Sequence, residues 1–236
     1  MKKVVIIGSG PTGLSTAHSL SEKTNYEIQV FDGADKVGGL AGSGEVDGMV
    51  YDYGPHIFHS AHDDITNFWK DNFEDLLLEK PFYYKNYKDG ILYDYPISWE
   101  SIEKFPQDIK DKVKEEIKNI KPENLKRSRN FKECVEELVG PTLQSIFFEK
   151  YTEKLWGISP DKMSSNWAPK RINLRKKHKS FWSGQYSACG KYGAGKIMER
   201  WAKMSEKNGV KFNLNKKLID VVGDGYKINE LIFSDG

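Results

Sequence analysis

Residues 4–39, VVIIGSGPTGLSTAHSL…VFDGADKVGG, decide the fold of this chain. The apolar run at residues 4–7 predicts a short strand buried on both faces of a parallel sheet. Gly8, Gly10 and Gly13 follow at the spacing that permits a tight turn, a close approach of backbone to a pyrophosphate, and a closely packed helix. That helix would point its free N–H groups and positive dipole end at the phosphates. The stretch therefore predicts a dinucleotide-binding α/β domain.

Asp32 ends the second predicted strand, about 20 residues after the last glycine of the turn. A carboxylate at this point accepts hydrogen bonds from the adenosine ribose hydroxyls and would repel the 2′-phosphate of NADP. Gly38 and Gly39 allow a second stretch of backbone to approach the cofactor. The segment around them, GADKVGGLA, resembles one found in flavoproteins of the amine oxidase superfamily, which favours FAD over NAD. A plain loop is the alternative for this glycine pair.

Composition restricts the remaining function classes. The 236 residues are 38% hydrophobic, which is enough for a sizeable core in one or two domains. Lysine and arginine number 36 against 34 acidic residues, so the net charge of +2 gives no case for a nucleic-acid partner. Cys134 and Cys189 form no CxxC motif, which favours two buried free thiols over a disulfide framework or a zinc site.

The start of the chain, MKKVVIIGSG, holds too short an apolar run for a signal peptide. No stretch of the sequence is long enough to span a membrane as an apolar helix. We therefore expect a cytoplasmic protein, in which reduced thiols are the normal state. A homodimer is among the assemblies that the sequence leaves open.

The predicted fold class is α/β, a Rossmann-like FAD-binding domain with a largely helical substrate domain inserted into it. Residues 1–64 form the first part of the FAD-binding domain. Helical periodicity and a hairpin signal at Asp89-Gly90 predict the insertion over residues 65–185. Within it, Pro106 is expected to split a charged amphipathic helix.

Residues 186–236 return to the α/β pattern. A helix stopped by Gly209 is followed by an alternating strand, which we expect to rejoin the first sheet. The sequence then ends soon after a second hairpin, with no closing helix. We therefore expect the chain to be a fragment of a longer protein.

Four later motifs resemble those of bacterial UDP-galactopyranose mutases in order and spacing. They are YGPHIFHS at 53–60, YKDGILYDYPIS at 87–98, YTEKLWG at 151–157 and KRINLR at 170–175. The resemblance implies a flavoenzyme that interconverts pyranose and furanose forms of a UDP-sugar for cell-surface polysaccharide synthesis. In that family reduced FAD supplies the nucleophile for the anomeric carbon, with no net redox change.

The resemblance also implies roles for individual residues. FAD would contact Gly8, Gly10, Gly13, Asp32, Gly38, Gly39, Leu40, His56 and Ile57. His56 would set the flavin face and Arg175 would close on the UDP phosphates, so these two are the predicted catalytic residues. The UDP moiety would be held by Tyr151, Trp156, Arg171 and Arg175.

The residue types alone leave alternatives open at the substrate positions. Arg171 and Arg175 can clamp a diphosphate, but the lysines around them equally suit a solvated basic loop. Tyr151 and Trp156 suit stacking on uracil, whereas their spacing alone favours a buried aromatic stripe. Packing is the predicted role of the remaining tryptophans, which are Trp69, Trp99, Trp167, Trp182 and Trp201.

Three histidines at a spacing of three residues, His56, His59 and His62, raise the question of a metal site. No carboxylate or cysteine completes a convincing ligand set, and Pro55 interrupts a helix through the first of them. We therefore predict no metal, with a structural hydrogen-bonding role as the alternative for His56.

Two segments favour a rival function. SPDKMSSNWAPKRI also resembles relatives of protoporphyrinogen oxidase, and KKHKSFWSGQYSACGKYGAGK lacks the asparagine-aromatic run expected of a mutase. The main alternative is therefore an FAD-dependent oxidoreductase of the amine oxidase or protoporphyrinogen oxidase type. A non-catalytic fragment is a third hypothesis.

Overall fold

The computed structural model describes residues 1–121, 128–166 and 168–235, apart from the side chains of Lys170 and Arg171. The chain divides into two compact units. Unit 1 consists of Met1–Lys80 and Gly184–Gly236, and unit 2 consists of Pro81–Ser183. Trp167, which we expected to pack, and the terminal Gly236 lie outside the described residues.

A three-stranded parallel sheet forms the centre of the dinucleotide-binding part of unit 1. Its strands are β1 (Lys3–Ile7), β2 (Glu27–Phe31) and β10 (Lys211–Asn213), in the order β1-β2-β10. Helix α1 (Pro11–Lys23) connects β1 to β2 and packs against α9 (Ala194–Lys207). The expected return of the late strand to the first sheet is therefore confirmed.

Strand β1 differs from its prediction, because it is an edge strand and only one of its faces is covered. Val4 and Ile6 pack on the core around Ala17, whereas Val5 and Ile7 are each 47% exposed. An apolar run without alternation cannot indicate whether a strand has a neighbour on its far side. The prediction of burial on both faces was wrong for the described chain.

Smaller sheets and hairpins complete unit 1. An antiparallel pair is formed by β3 (Ser43–Val46) and β4 (Met49–Asp52), and a final hairpin by β11 (Leu218–Gly223) and β12 (Ile228–Phe233). A second three-stranded sheet has the order β5-β9-β6. Its strands are β5 (Ile57–Ser60), β6 (Leu77–Glu79) and β9 (Tyr186–Gly190).

Unit 1 also contains residues that the sequence assigned to the helical insertion. Helix α2 (Asp63–Phe73) packs Phe68 and Phe73 against Trp201 of α9, with ring centroids 5.6 and 5.9 Å apart. This aromatic contact joins α2 to α9 across a long sequence separation. The boundary therefore lies at Pro81 rather than at Ile65.

Unit 2 is largely helical and is built on one hairpin. Strands β7 (Tyr84–Lys88) and β8 (Ile91–Tyr95) join through Asp89 and Gly90, both with positive φ, as the turn signal predicts. Two helices follow on either side of Pro106. They are α3 (Trp99–Ile102) and α4 (Gln107–Lys118), so the predicted split at this proline is confirmed.

The rest of unit 2 continues as short helices. They are α5 (Phe131–Val139), α6 (Pro141–Gln144), α7 (Lys150–Trp156) and α8 (Ala168–Arg171), and a π-helical turn at Ser145–Glu149 joins α6 to α7. The apolar sides of these elements meet in one core that includes Ile102, Phe131 and Leu143. Among the residues that the structure describes, no helix has both the length and the apolar character needed to cross a bilayer.

Candidate functional site

The three turn glycines have different physical roles. Gly8 has a φ of 97° and its N–H donates to the Phe31 carbonyl at 2.8 Å, which fixes the turn to β2. A Cβ on Gly13 would overlap the Gly8 carbonyl oxygen, so Gly13 allows α1 to pack on the turn. A Cβ on Gly10 would meet nothing closer than Gly38 O at 4.0 Å. Gly10 is thus the glycine whose open side a cofactor can use.

The second glycine pair lies directly beside the first turn. The Gly38 N–H donates to the Ser9 carbonyl at 2.9 Å, and a Cβ on Gly39 would lie 3.3 Å from Gly10 Cα. Both residues have positive φ, which glycine adopts without strain. Two backbone segments therefore converge at the N-terminus of α1. Leu40, the next predicted contact, is 83% exposed.

Asp32 lies at the end of β2 and is held by hydrogen bonds on both of its oxygens. Its Oδ2 accepts from the Ser9 N–H at 2.6 Å and the Ser9 hydroxyl at 2.7 Å, and its Oδ1 accepts from the Ala34 N–H at 2.9 Å. Burial raises the pKa of Asp32, but these hydrogen bonds outweigh it and leave the pKa below its ordinary value. The carboxylate is therefore ionised and oriented beside the glycine turn.

His56 lines an apolar cavity of about 260 Å³ within unit 1. The stacked rings of Phe58 and Trp69, 4.0 Å apart, form part of its wall, as do Pro11 at the start of α1 and Ile57. The Nδ1 atom of His56 is buried and has no hydrogen-bond partner. A buried imidazole nitrogen with no partner is costly, which favours a ligand that supplies one.

The cavity also contains the second cysteine. Cys189 is half-buried, on the central strand β9, and Cys134 is buried in the core of unit 2; neither forms a disulfide. His59 and His62 lie outside the cavity lining, with His59 Nδ1 3.1 Å from Gln185 Oε1. Over the described ranges, no three histidine, cysteine or acidic side chains group as a metal site would need.

In unit 2, two hydrogen bonds hold the backbone of Arg175, whereas its side chain makes long hydrogen bonds. Its N–H donates to the Ile97 carbonyl at 3.0 Å, and its carbonyl accepts from the Trp99 N–H at 2.9 Å. The guanidinium donates to the carbonyls of Ser180 and Phe181 at 3.4 and 3.5 Å, which are long contacts. The guanidinium can therefore exchange these partners for those of a ligand.

Two tyrosines that the sequence analysis did not predict, Tyr84 and Tyr95, lie near Arg175. Tyr84 and Tyr95 are a cross-strand pair, and both rings contact Phe181, over which the Arg175 guanidinium lies at 5.9 Å. Burial raises the pKa of Tyr95, with a further rise from Tyr151 against a lowering by Arg175. These phenols are therefore neutral donors near a cation. The signal was the alternation of tyrosines in the hairpin, which lies far from KRINLR in sequence.

The remaining predicted substrate residues lie at the end of the helical unit. Tyr151 and Trp156 belong to α7 and are 58% and 59% exposed, so they do not form the buried stripe that their spacing suggested. Arg171 ends α8, and its side chain lies outside the described part of the chain. Exposed aromatic rings of this kind are available to a ligand.

Comparison with known proteins agrees with this geometry. A family model described as an NAD(P)-binding Rossmann-like domain matches residues 6–72, and one described as UDP-galactopyranose mutase matches residues 146–235. A probable UDP-galactopyranose mutase of Klebsiella pneumoniae is 28% identical over 182 residues, 74% of this chain and 46% of the relative. A dTDP-fucopyranose mutase of Escherichia coli is 28% identical over 180 residues, 74% of this chain and 47% of the relative.

The fold has a counterpart among solved structures. A crystal structure of reduced UDP-galactopyranose mutase superimposes with a TM-score of 0.78 and 22% identity, covering 100% of this chain and 53% of that one. The chain thus spans about half the length of the relatives it matches.

Fold and glycine turn together define a Rossmann-type dinucleotide-binding protein. The expected α/β class is confirmed. Sugar-mutase relatives align with 74% of the chain, in addition to the match of the general domain model. The chain is similar to UDP-galactopyranose mutases, whose family model matches its residues 146–235.

Proposed function

We propose that this chain is part of an FAD-dependent mutase that interconverts pyranose and furanose forms of a UDP-sugar. The observation that carries the proposal is the convergence of Gly10, Gly39 and Asp32 beside a cavity lined by His56. An open glycine face suits a diphosphate, an ionised carboxylate suits ribose hydroxyls, and the apolar cavity suits the ring system. The residues present therefore fit FAD.

Each residue of unit 1 has a defined part in the proposal. The N–H groups of the first turn of α1 would bind the cofactor diphosphate, since the turn contains no acidic side chain to repel it. Asp32 would accept from the ribose, and His56 Nδ1 would bind a polar atom of the ring system. Leu40 and Ile57 would complete the apolar contacts. When reduced, the cofactor would supply the nucleophile that the chain's own side chains do not.

Substrate binding is assigned to unit 2. Arg175 would pair with the UDP phosphates, supported by Arg171, and Tyr151 and Trp156 would contact the uridine. The phenols near Arg175 are neutral donors, which suits an anionic ligand. The proposal also places the enzyme in the cytoplasm and in surface polysaccharide synthesis. Homodimer formation is a further feature of the proposal that can be tested.

The direct test uses full-length protein reduced with dithionite and incubated with UDP-galactofuranose. We expect HPLC to show conversion to UDP-galactopyranose, and Arg175→Ala to reduce the rate at least about tenfold, because it removes a charge-assisted contact. Tyr87→Phe is a suitable control, since Tyr87 is exposed on the hairpin away from Arg175. Absence of conversion by protein that retains flavin would reject the proposal.

The rival function is an FAD-dependent oxidoreductase, favoured by the unusual segment after Arg175. UDP should perturb the visible flavin spectrum of a mutase in proportion to occupancy. An amine, polyene or porphyrinogen substrate should instead bleach the flavin of an oxidase under anaerobic conditions. Bleaching without any response to UDP would favour the rival.

A further inference from the structure

The hairpin of β3 and β4 holds the start of α9 by two side chains. Ser43 and Asp52 are direct partners across this hairpin, and the Ser43 hydroxyl donates to Asp52 Oδ1. The Ala194 N–H donates to the same Oδ1 at 2.9 Å. The Gly195 N–H donates to Ser43 Oγ at 2.8 Å. Because the first N–H groups of a helix have no partner within the helix, this cross-strand pair satisfies two of them.

The hairpin and the helix start approach each other too closely for side chains on the helix. A Cβ on Gly193 would lie 2.6 Å from Ser43 Oγ, and a Cβ on Gly195 would lie 2.6 Å from the Ser43 backbone nitrogen. Gly193 also has a φ of 84°, which glycine adopts without strain. These two glycines therefore allow the hairpin to reach the N–H groups of α9.

The sequence around these glycines has the spacing of a phosphate-binding P-loop. Residues 190–196, GKYGAGK, run from the end of β9 into α9 and match the pattern G-x-x-x-x-G-K. In that motif a serine or threonine follows the lysine and binds magnesium, whereas here Ile197 follows and is buried. The N–H groups of Ala194 and Gly195, which such a motif would offer to a phosphate, are bound by the hairpin. The segment is therefore suited to holding α9 in place rather than to binding a second nucleotide.

The first turns of α9 form one wall of the cavity that His56 lines. Ala194, Ile197 and Met198 all belong to this wall. Met198 also packs against the second glycine pair, since a Cβ on Gly38 would lie 3.1 Å from Met198 Cβ. The position of α9 therefore sets both the width of the cavity and the space beside Gly38.

We propose that Asp52 is a positioning residue for the cofactor site, acting through the first turn of α9 to hold Ile197 and Met198 in place as the cavity wall. The identity of the cofactor, FAD, rests on the proposed function above. The hydrogen bonds between the hairpin and the helix do not. Ser43 shares the role, because its hydroxyl connects the Asp52 carboxylate to the Gly195 N–H. A wall that is fixed before the ligand arrives reduces the entropy lost on binding.

Charge and position predict different signs for the removal of Asp52. FAD contains an anionic diphosphate, so loss of a carboxylate would by itself leave FAD binding unchanged or strengthen it. Loss of the hydrogen bonds to α9 would weaken FAD binding, because the start of the helix must then be ordered by the cofactor. Asp52→Asn removes the charge and keeps an acceptor oxygen for the Ala194 N–H, whereas Asp52→Ala removes both.

The first experiment measures FAD affinity by the quenching of flavin fluorescence, with the full protein. We expect Asp52→Ala to raise the Kd for FAD about fivefold, and Asp52→Asn to remain within about twofold of wild type. Glu45→Ala, which removes an exposed acid from the same hairpin, should leave the Kd unchanged. Binding of FAD by Asp52→Ala that is as tight as in wild type, or tighter, would overturn the inference.

Visible circular dichroism of the bound flavin separates positioning from a loss of stability. Ser205 is buried near the other end of α9, and its hydroxyl donates to the Trp201 carbonyl at 3.1 Å. Ser205→Ala therefore removes a buried hydrogen bond of the same helix outside the cavity lining. At saturating FAD we expect the spectrum of Asp52→Ala to differ from that of wild type, and those of Asp52→Asn and Ser205→Ala to match it. Coincident spectra of Asp52→Ala and wild type would show that Asp52 acts on stability alone.

Hydrogen exchange separates this inference from the proposed function. We expect Asp52→Ala to increase exchange of the Ala194 amide severalfold, with no change in Glu45→Ala. Protein that binds FAD but converts no UDP-sugar would reject the mutase function and retain the positioning role. Unchanged exchange at Ala194 in Asp52→Ala, or wild-type protein that takes up no FAD, would overturn the positioning role.

Discussion

Two glycines of the turn are suited to different tasks: Gly13 to the packing of the fold, and Gly10 to the approach of a cofactor. Gly13 has no room for a Cβ because the Gly8 carbonyl occupies that position, whereas a Cβ on Gly10 would enter open space. The sequence motif requires glycine at both positions and does not distinguish their roles. Only the packing shows that one serves the helix and the other faces outward.

Alanine substitutions at these two positions should therefore give opposite results. We expect Gly13→Ala to lower the free energy of unfolding by about 1–3 kcal/mol, because the turn and α1 must move apart. Gly10→Ala should leave it within about 0.5 kcal/mol of wild type and abolish FAD uptake. Urea denaturation and flavin absorbance after reconstitution measure the two effects. Equal stability of Gly13→Ala and wild type would contradict the packing argument.

Asp32 allows a second prediction at this scale. Asp32→Asn keeps one acceptor oxygen, which can accept from either the Ser9 or the Ala34 N–H group, and removes the charge that favours the ribose hydroxyls. We expect the folded variant to bind FAD about tenfold more weakly, since hydrogen bonds to charged groups are the stronger ones. Quenching of flavin fluorescence during titration gives the affinity. Asp35→Asn, an exposed neighbour, is the control and should bind FAD normally.

Helices and strands whose ends are set by their own residues were predictable from the sequence. Those held by residues distant in the sequence were not. The hairpin turn at Asp89-Gly90 and the break at Pro106 depend on residues within the element. Helix α9 begins differently. Its N-cap Gly193 has no side chain, and the free N–H groups of Ala194 and Gly195 are bound by Asp52 and Ser43 from another part of unit 1. No local pattern could predict that cap.

Helix α5 allows a prediction about charge at a helix start. The guanidinium and N–H of Arg129 bind the Glu133 carboxylate and lower its pKa to about 2. Because the pKa is lowered in the folded state, the ionised carboxylate stabilises the fold at pH values above the ordinary carboxyl pKa. That contribution is lost as the pH falls towards 2. Carbon-detected NMR titration should find a pKa of about 2 for Glu133. In Arg129→Ala it should return towards the ordinary value, and an unchanged pKa would contradict the assignment to Arg129.

At the scale of the whole molecule, the sequence predicted the glycine turn and its neighbours better than the surroundings of Arg175. The glycine turn, Asp32 and the second glycine pair lie within about 30 residues of one another, and local geometry brings them together. The surroundings of Arg175 come from three separate stretches of unit 2. Tyr84 and Tyr95 were missed because no periodicity connects a hairpin to a segment so far along the chain.

The shifted pKa values of both units also predict how stability depends on pH. The pKa values of Asp32 and Asp94 are lowered, that of Asp94 chiefly by its hydrogen bond from Lys85. Their contribution to the free energy of unfolding is therefore present above about pH 4 and is lost in acid. Burial raises the pKa of Tyr84 and Tyr95, so their contribution is present below about pH 10 and lost as the pH rises through their folded values. Glu136, whose pKa is raised by burial, offsets part of the acid loss.

We therefore expect a plateau of stability between about pH 5 and about pH 9, with a decline on both sides. Urea-denaturation midpoints measured across this range at constant ionic strength test the profile. Tyr84→Phe and Tyr95→Phe each remove one of the groups that ionise at high pH, so each should flatten the alkaline decline and leave the acid side unchanged. Tyr87→Phe, an exposed phenol on the same hairpin, should leave both sides unchanged. An alkaline decline of wild-type steepness in the Tyr84→Phe/Tyr95→Phe double variant would show that these two partly buried phenols do not cause it.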